Sequence, residues 1–414
     1  MNVEIITVGT ELLTGNTLNT NAKYLAEELI NLGFHISKHT TVDDNSTNLE
    51  NAFNDALSQN DLIILTGGLG PTKDDLTKET IAVALSKKLI EDEKAKEKII
   101  SYFKSNKHEL ATNTYKQSLV IDGSTVFYND QGTAPGMAIK HNNKYIILLP
   151  GPPKELIPMF EKNVKKHLSK LTDQIILSKD IHLFGIEESK VDQILSDILS
   201  NKSPYIGIYA KTGEITIRVT AQASKNNECE SLINHVVDII KTRLGEFIYG
   251  IDIDNMQNAL VKTAIKSNKK IAVAESCTGG LIASKIVSIS GSSSCFNCGI
   301  VCYSNEMKEQ ILGVKKETLS KFGAVSSQVA KQMAQSVRKL AKSDIGISST
   351  GIAGPTGQSD KKPIGLVYIG ISTQKSTTVY KLLLSNGQPD ERQKIRHMSA
   401  IFAMNEARKA ILNN

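Results

Sequence analysis

Tryptophan is absent from this 414-residue chain, and phenylalanine and tyrosine lift the aromatic share only to 5%. Few ring faces are therefore on offer for stacking bases. The net charge of +6 is spread along the chain, with Lys and Asp/Glu interleaved. A basic stripe for direct nucleic-acid binding is not expected, although mildly anionic partners are favoured. No apolar run approaches the ~18 residues that span a bilayer. The longest, Tyr145 to Leu149 and Leu366 to Ile371, are strand-sized. The start, Met-Asn-Val-Glu-Ile-Ile-Thr-Val, has no cationic lead-in, so a first strand and a cytoplasmic protein without membrane contact are expected. Five cysteines make an odd count, four of them within Cys277 to Cys302. That excludes an evenly paired secreted framework and points to free thiols. Histidine is also scarce: beyond residue 255 only His397 remains.

What is present is ordinary globular material, 40% hydrophobic and 22% charged. At ~150 residues per domain the length predicts two or three domains. The first stretch alternates strand and helix. Val3–Val8, Phe34–Val42 and Asp61–Thr66 read as strands, and Ala22, Leu25, Ala26, Leu29 and Ile30 fall at helical spacing. Thr47 with Glu50 suggests a capping box ahead of Leu49, Phe53, Ala56 and Leu57. This rhythm predicts a doubly wound parallel sheet over 1–168. Residues 172–250 read as a small α+β unit, with Gly250–Asn255 as a linker. The α/β rhythm returns over 255–414 and ends in a closing helix from Pro389 onward.

Four constellations carry chemistry. Gly67-Gly68-Leu69-Gly70-Pro71-Thr72-Lys73-Asp74-Asp75 stands between a strand and a helix near Leu76, where backbone N–H groups can approach a phosphate. Paired aspartates are odd companions for a bare phosphate and make sense with a divalent cation between carboxylates and diphosphate oxygens. A plain helix cap would need only one of them. Gly9-Thr10-Glu11 and Val42-Asp43-Asp44 also follow strands and are expected to face the same crevice. Further on, Glu275-Ser276-Cys277-Thr278-Gly279-Gly280 is a strand-to-helix turn offering hydroxyls and backbone donors, and a buried Glu275 hints at a polar pocket. Third come Gly291-Ser292-Ser293-Ser294-Cys295-Phe296, then Tyr303-Ser304-Asn305 and Lys308. With histidine all but excluded, a serine nucleophile needs another base, and a desolvated lysine can serve. On the residues alone, Lys308 is better read as one more surface lysine. The fourth is Thr350-Gly351-Ile352-Ala353-Gly354-Pro355, a glycine loop after a strand, with Lys361, Lys362, Arg392 and Arg396 as possible anion contacts. Cys295-x-x-Cys298 with Cys302 lacks a fourth zinc ligand, and Cys277 has no activating histidine beside it.

These motifs, in this order, resemble the CinA family of competence/damage-inducible proteins nearly end to end. The N-terminal part matches as Gly9-Thr10-Glu11-Leu12-Leu13, Asn21, Gly67 through Thr80, Gly132 through Gly136 and Leu149 through Pro153. It is similar to molybdopterin-binding proteins of the MoaB/MogA type. The resemblance implies a metal-dependent ADP-ribose pyrophosphatase, using Mg, Mn or Co. Asp74, Asp75, Glu11 and Asp43 would serve the metal, and Gly67, Gly68, Gly70, Thr72, Lys73 and Asn21 the substrate. The middle segment resembles the family's KH-like domain, without a G-x-x-G loop, so no RNA binding is inferred.

The C-terminal part resembles the nicotinamide mononucleotide (NMN) deamidase domain. Its marks are Ala274 through Gly280, Gly291-Ser292-Ser293, Tyr303-Ser304-Asn305 with Lys308, Gly323 through Ser326, and Thr350 through Pro355. The likeness to Ser/Lys amidohydrolases lifts Lys308 above the surface-lysine reading. It implies Ser293 as nucleophile, Lys308 as base and Tyr303 as assistant, with Ser276 as substrate contact or alternative nucleophile. Thr278, Gly279, Gly280, Thr350, Gly351, Gly354 and Arg392 would bind substrate, with no cofactor. A homodimer is implied as well. The competing expectations are a non-enzymatic nucleotide sensor and an N-terminal domain that only binds molybdopterin-like ligands.

Overall fold

The computed structural model describes residues 1–106, 109–171, 175–200, 203–388 and 391–413. They form two compact units, Met1–Ser178 with Ala221–Leu232, and Lys179–Thr220 with Ile233–Asn414. Residue 172, the expected start of the middle segment, and Pro389, the expected opening of the last helix, lie outside the described residues.

The first unit is built on β1 (Asn2–Val8), β2 (His35–Val42) and β3 (Leu62–Thr66). It adds a small pair, β4 (Leu89–Glu91) and β5 (Leu119–Ile121), then β6 (Thr125–Phe127), β7 (Gly136–His141) and β8 (Lys144–Leu149). The main sheet runs β2-β1-β3-β8-β7-β6. β1 pairs in parallel with β2 and β3, and β3 with β8, while β7 is antiparallel to its neighbours. Every residue of β3 is buried, as a β-branched and leucine run covered on both faces demands. Alternate residues feed the two cores, Ile6, Ile63 and Leu65 on one side and Ile5, Leu62 and Ile64 on the other. The chain leaves β1 toward β2 and returns to β3 on the opposite flank. A crevice therefore opens beyond the carboxyl ends of β1 and β3.

Asn19 caps the helix Thr20–Asn31 through the Ala22 N–H. The helix Ser46–Gln59 is capped by Asn45, whose side chain accepts from the Thr47 and Asn48 amides, so the expected Thr47/Glu50 box is not the device used. The helix Glu93–Ser105, capped by Asp92, and the short strands β4 to β7 were not expected from the sequence.

A four-stranded sheet follows, built from β9 (Ile175–Phe184), β10 (Tyr205–Lys211), β11 (Glu214–Ala223) and β12 (Ile248–Ile251), in the order β10-β11-β9-β12. Gly250 is part of β12, paired with His182, so the expected linker begins as a strand.

The last sheet comprises β13 (Ile271–Glu275), β14 (Phe296–Val301), β15 (Ile345–Gly351), β16 (Leu366–Ser372) and β17 (Thr377–Leu383), ordered β14-β13-β15-β16-β17. β13 is parallel to β14 and β15, whereas β16 and β17 form the expected hairpin. The helix Arg392–Leu412 lies in its core, burying Ile395, Ala400, Ile401, Met404 and Ala407. Among the described residues, no helix is long and apolar enough to cross a membrane.

Candidate functional site

In the first unit, the loops that follow β1, β3 and β8 enclose a cavity of about 440 Å³. Its wall includes Glu11, Asn21, Asp44, Gly67, Gly68, Thr72, Asp74, Asp75 and Gly151. Gly67 and Gly68 hold φ of +106° and +64°, and a Cβ on Gly67 would strike the Val8 carbonyl. Only glycine lets the turn fold back over the sheet edge here. Asn21 donates to Thr66 Oγ1 at 3.1 Å and to the Gly151 carbonyl at 2.6 Å, tying the three loops together. Its buried Oδ1 has no partner among the described residues.

The acidic residues are arranged by their neighbours. Asp75 accepts from the Thr72 N–H at 2.9 Å and from its hydroxyl at 2.5 Å. Asp44 accepts from the Thr10 N–H and hydroxyl, both at 2.9 Å. Asp43, the residue expected here, instead accepts from Asn48 at 2.9 Å and is absent from the wall. The chain turns at the end of β2 so that the next residue, Asp44, faces the crevice. Lys73 and Gly70 also stand off the wall, and Lys73 is exposed. Among the described residues no three His, Cys, Asp or Glu side chains converge tightly enough to hold a metal by themselves.

In the second unit, a cavity of about 290 Å³ lies beyond the carboxyl ends of β13, β14 and β15. Ser276, Cys277, Tyr303, Lys308, Thr350, Gly351, Gly354 and Arg392 contribute to its wall. Lys308 is 1% exposed, held on the short helix Asn305–Gln310 whose cap is Ser304. Its Nζ donates to the Cys302 carbonyl at 3.0 Å and the Tyr303 carbonyl at 3.1 Å, with the Ser304 carbonyl farther off at 3.5 Å. Burial pushes the amine below the usual lysine range. Burial thus favours the uncharged form, which would keep a lone pair available.

Ser276 is buried, and its N–H donates to the Ser349 carbonyl at 2.9 Å. It does not cap the helix Leu281–Val287, whose cap position is Gly280. Glu275 does that work from below, accepting from the Ile282 N–H at 3.0 Å and the Ala283 N–H at 2.8 Å. Its burial thus reflects a helix terminus and not the expected polar pocket.

Ser293, expected as the nucleophile, is elsewhere. It is exposed, in the single turn Ser292–Ser294 that precedes β14. Lys308 and Ser276 follow the far ends of β14 and β13, and these strands run parallel. The length of β14, at ~3.3 Å per residue, separates Ser293 from the amine, so within one chain the two cannot react. Tyr303 lies on the rim, 65% exposed, its hydroxyl accepting from Arg392 at 3.2 Å. Arg392 also donates to the Gly354 carbonyl at 2.6 Å. Thr278, Gly279 and Gly280 stay off the wall. Thr278 is fully buried against Ser349, and its carbonyl accepts from Arg396 at 2.8 Å. Lys362 donates to the Phe322 carbonyl at 2.7 Å. All five cysteines are free, and burial pushes the Cys277 thiol up to about 12, too high for a nucleophile at neutral pH.

The folds and sites together define a modular protein of three successive domain types. Residues 4–170 match a probable molybdopterin binding domain, 178–250 the damage-inducible protein CinA KH domain, and 253–411 the CinA C-terminal domain. A CinA-like protein of Kosmotoga olearia is 46% identical over 413 residues, covering 100% of this chain and 99% of that one. A protein of Thermoanaerobacter sp., described as competence-damage inducible, is 47% identical over 412 residues, with 100% and 99% covered. Among solved structures, competence/damage inducible protein CihA from Agrobacterium tumefaciens is 34% identical, covering 39% of this chain and 98% of that one, with a TM-score of 0.36. The chain belongs to the CinA family.

Proposed function

We propose that the C-terminal part is an amidohydrolase that converts NMN and water to nicotinate mononucleotide and ammonia. The observation that carries this reading is the Lys308 amine, water-excluded yet on the wall of the cavity that Ser276 shares. Ser276 Oγ attacks the carboxamide carbon while Lys308 accepts the hydroxyl proton. Lys308 then returns that proton to the amide nitrogen, the C–N bond breaks and ammonia departs. Water adds to the acyl ester, its proton passes through Lys308 to Ser276 Oγ, and the acid leaves. Backbone N–H groups of the Thr350–Gly354 loop would steady the oxyanion, at about 3 kcal/mol per donor in other acyl-transfer enzymes. Arg392 at the mouth suits the phosphate. Purified protein should release ammonia from NMN, and Lys308→Met should cut turnover by about two orders of magnitude or more. Its thermal midpoint should fall modestly, because the Cys302 and Tyr303 carbonyls lose their donor, so turnover is compared per folded enzyme. Near-normal turnover would take Lys308 out of the mechanism.

A second reading concerns the first unit, as a metal-dependent enzyme that splits ADP-ribose into AMP and ribose 5-phosphate. It is supported by Glu11, Asp44, Asp74 and Asp75 around one cavity with the Gly67–Gly68 turn. That donor set fits a Mg²⁺ or Mn²⁺ ion, which takes one or two carboxylates and completes its shell with phosphate oxygens and water. When bound, the ion would neutralise diphosphate charge. The chain's own part is to orient Asp75 and Asp44 through Thr72 and Thr10, and to turn backbone amides toward the phosphates. Asp74→Asn with Asp75→Asn should weaken metal dependence about 10- to 100-fold. A chelator should abolish ADP-ribose cleavage while leaving ammonia release untouched. Full-rate cleavage by the double variant defeats the acidic-pair account.

A further inference from the structure

Outside the wall of the first cavity, the Thr72–Asp75 turn rests on a cluster of charges that no step above employs. Lys116, in the 3-10 segment Thr112–Ser118, donates to the Thr72 carbonyl at 3.2 Å and also to the Asp75 carbonyl. Its ammonium lies 3.5 Å from Glu79 Oε1. Lys78, 2% exposed on the helix Thr77–Ala84, donates to the backbone carbonyl of Lys116 itself.

This arrangement is costly. Burial lowers Lys78 to about 8. Glu79 Oε2 and, on the next residue after Lys116, Gln117 Oε1 are buried without partners among the described residues. An apolar side chain of similar volume in place of Lys78 would hold the same elements together with less desolvation, so packing alone does not account for a buried ammonium here. What the cluster does accomplish is geometric. A cation fastened to the carbonyls at both ends of a four-residue turn fixes its backbone. That same backbone, through the Thr72 amide, aims the Asp75 carboxylate at the cavity, with Asp74 beside it.

We infer that Lys116, seated by Lys78 and Glu79, is a positioning residue that holds the Thr72–Asp75 turn with both aspartates presented to a divalent cation. The inference rests on reading that turn as a cation and diphosphate site. It also makes a prediction of sign. If Lys116 were only a nearby positive charge, removing it would tighten cation binding by relieving repulsion. If it positions the turn, removing it loosens binding.

The test measures Mn²⁺ affinity of the full-length chain by water-proton relaxation, with Mn²⁺ alone as the probe. Lys116→Met should bind Mn²⁺ about tenfold more weakly, the scale seen when groups orienting metal ligands are removed. Lys116→Arg, which keeps a cation and donors for both carbonyls, should recover most of the affinity. Should Lys116→Met fail to fold, Lys116→Gln takes its place with the same two readings. Unchanged or tighter binding in a folded variant overturns the inference, and so does an arginine variant no better than methionine. A wild-type chain that binds Mn²⁺ but leaves ADP-ribose intact sinks the pyrophosphatase reading alone, because the affinities can still be compared.

Discussion

At the scale of single residues, the chemistry proposed for the second cavity turns on which hydroxyl meets a buried amine. Ser276 and Lys308 share one wall, and Ser293 does not. Ser276→Ala should therefore abolish ammonia release, whereas Ser293→Ala should retain most of it. Comparable losses in both, measured at saturating NMN, would contradict this ordering. The pH profile follows from burial. Lys308 acts as a base only when neutral, and its pKa is lowered from the ordinary lysine value. The rate should climb with pH through an inflection below the normal lysine range, and Lys308→Met should erase that inflection. The stability sign agrees. The unfolded chain binds more protons at this lysine than the folded one, so its burial costs stability at neutral pH, and the cost shrinks as pH rises between the two pKa values. The scarcity of histidine opens the way to a lysine base, but on the residues alone Lys308 reads as a surface lysine, and only the resemblance raises it. Its burial was not legible, because nothing in Asn305–Gln310 signals which face the sheet covers. The choice of Ser293 over Ser276 came from resemblance. The strand directions, which put one serine before a strand and the other after, favour Ser276 as the proposed nucleophile.

At the scale of elements, strand ends and helix starts decide where side chains arrive. In the sequence a buried Glu275 hints at a pocket, yet it meets two amides at the start of the helix Leu281–Val287. Glu275→Gln should cost about 1–3 kcal/mol, the penalty for weakening a buried, charge-assisted pair. That would lower the melting temperature while NMN turnover by the folded fraction stays close to normal. A variant as stable as wild type would mean these amides find other acceptors. Glycine turns after β1, β3, β13 and β15 were legible from sequence, since apolar β-branched runs end there abruptly. The strands β4, β5 and β6 were not, because three-residue strands carry no period to read. Asp43 and Asp44 show the same limit at finer grain. Adjacent aspartates after a strand point opposite ways, and only the register with β1 picks the one that faces the crevice.

For the whole molecule, the doubly wound sheet, the small α+β segment and the second α/β sheet were each visible in the rhythm of apolar runs. Each cavity opens at the carboxyl edge of its own sheet, which is where parallel strands deliver their loops. The two proposed reactions differ in what they require: carboxylates with a cation in one, a dry amine with a serine in the other. The account stands or falls on the second. Acid-quenching the chain during NMN turnover and mapping the acyl adduct by tryptic mass spectrometry would test it directly, because the two serines fall on different peptides, Ile271–Lys285 and Ile286–Lys308. We predict the nicotinoyl mononucleotide mass on the peptide that contains Ser276. Its appearance on the Ser293 peptide, or on neither while ammonia is being released, would contradict the account.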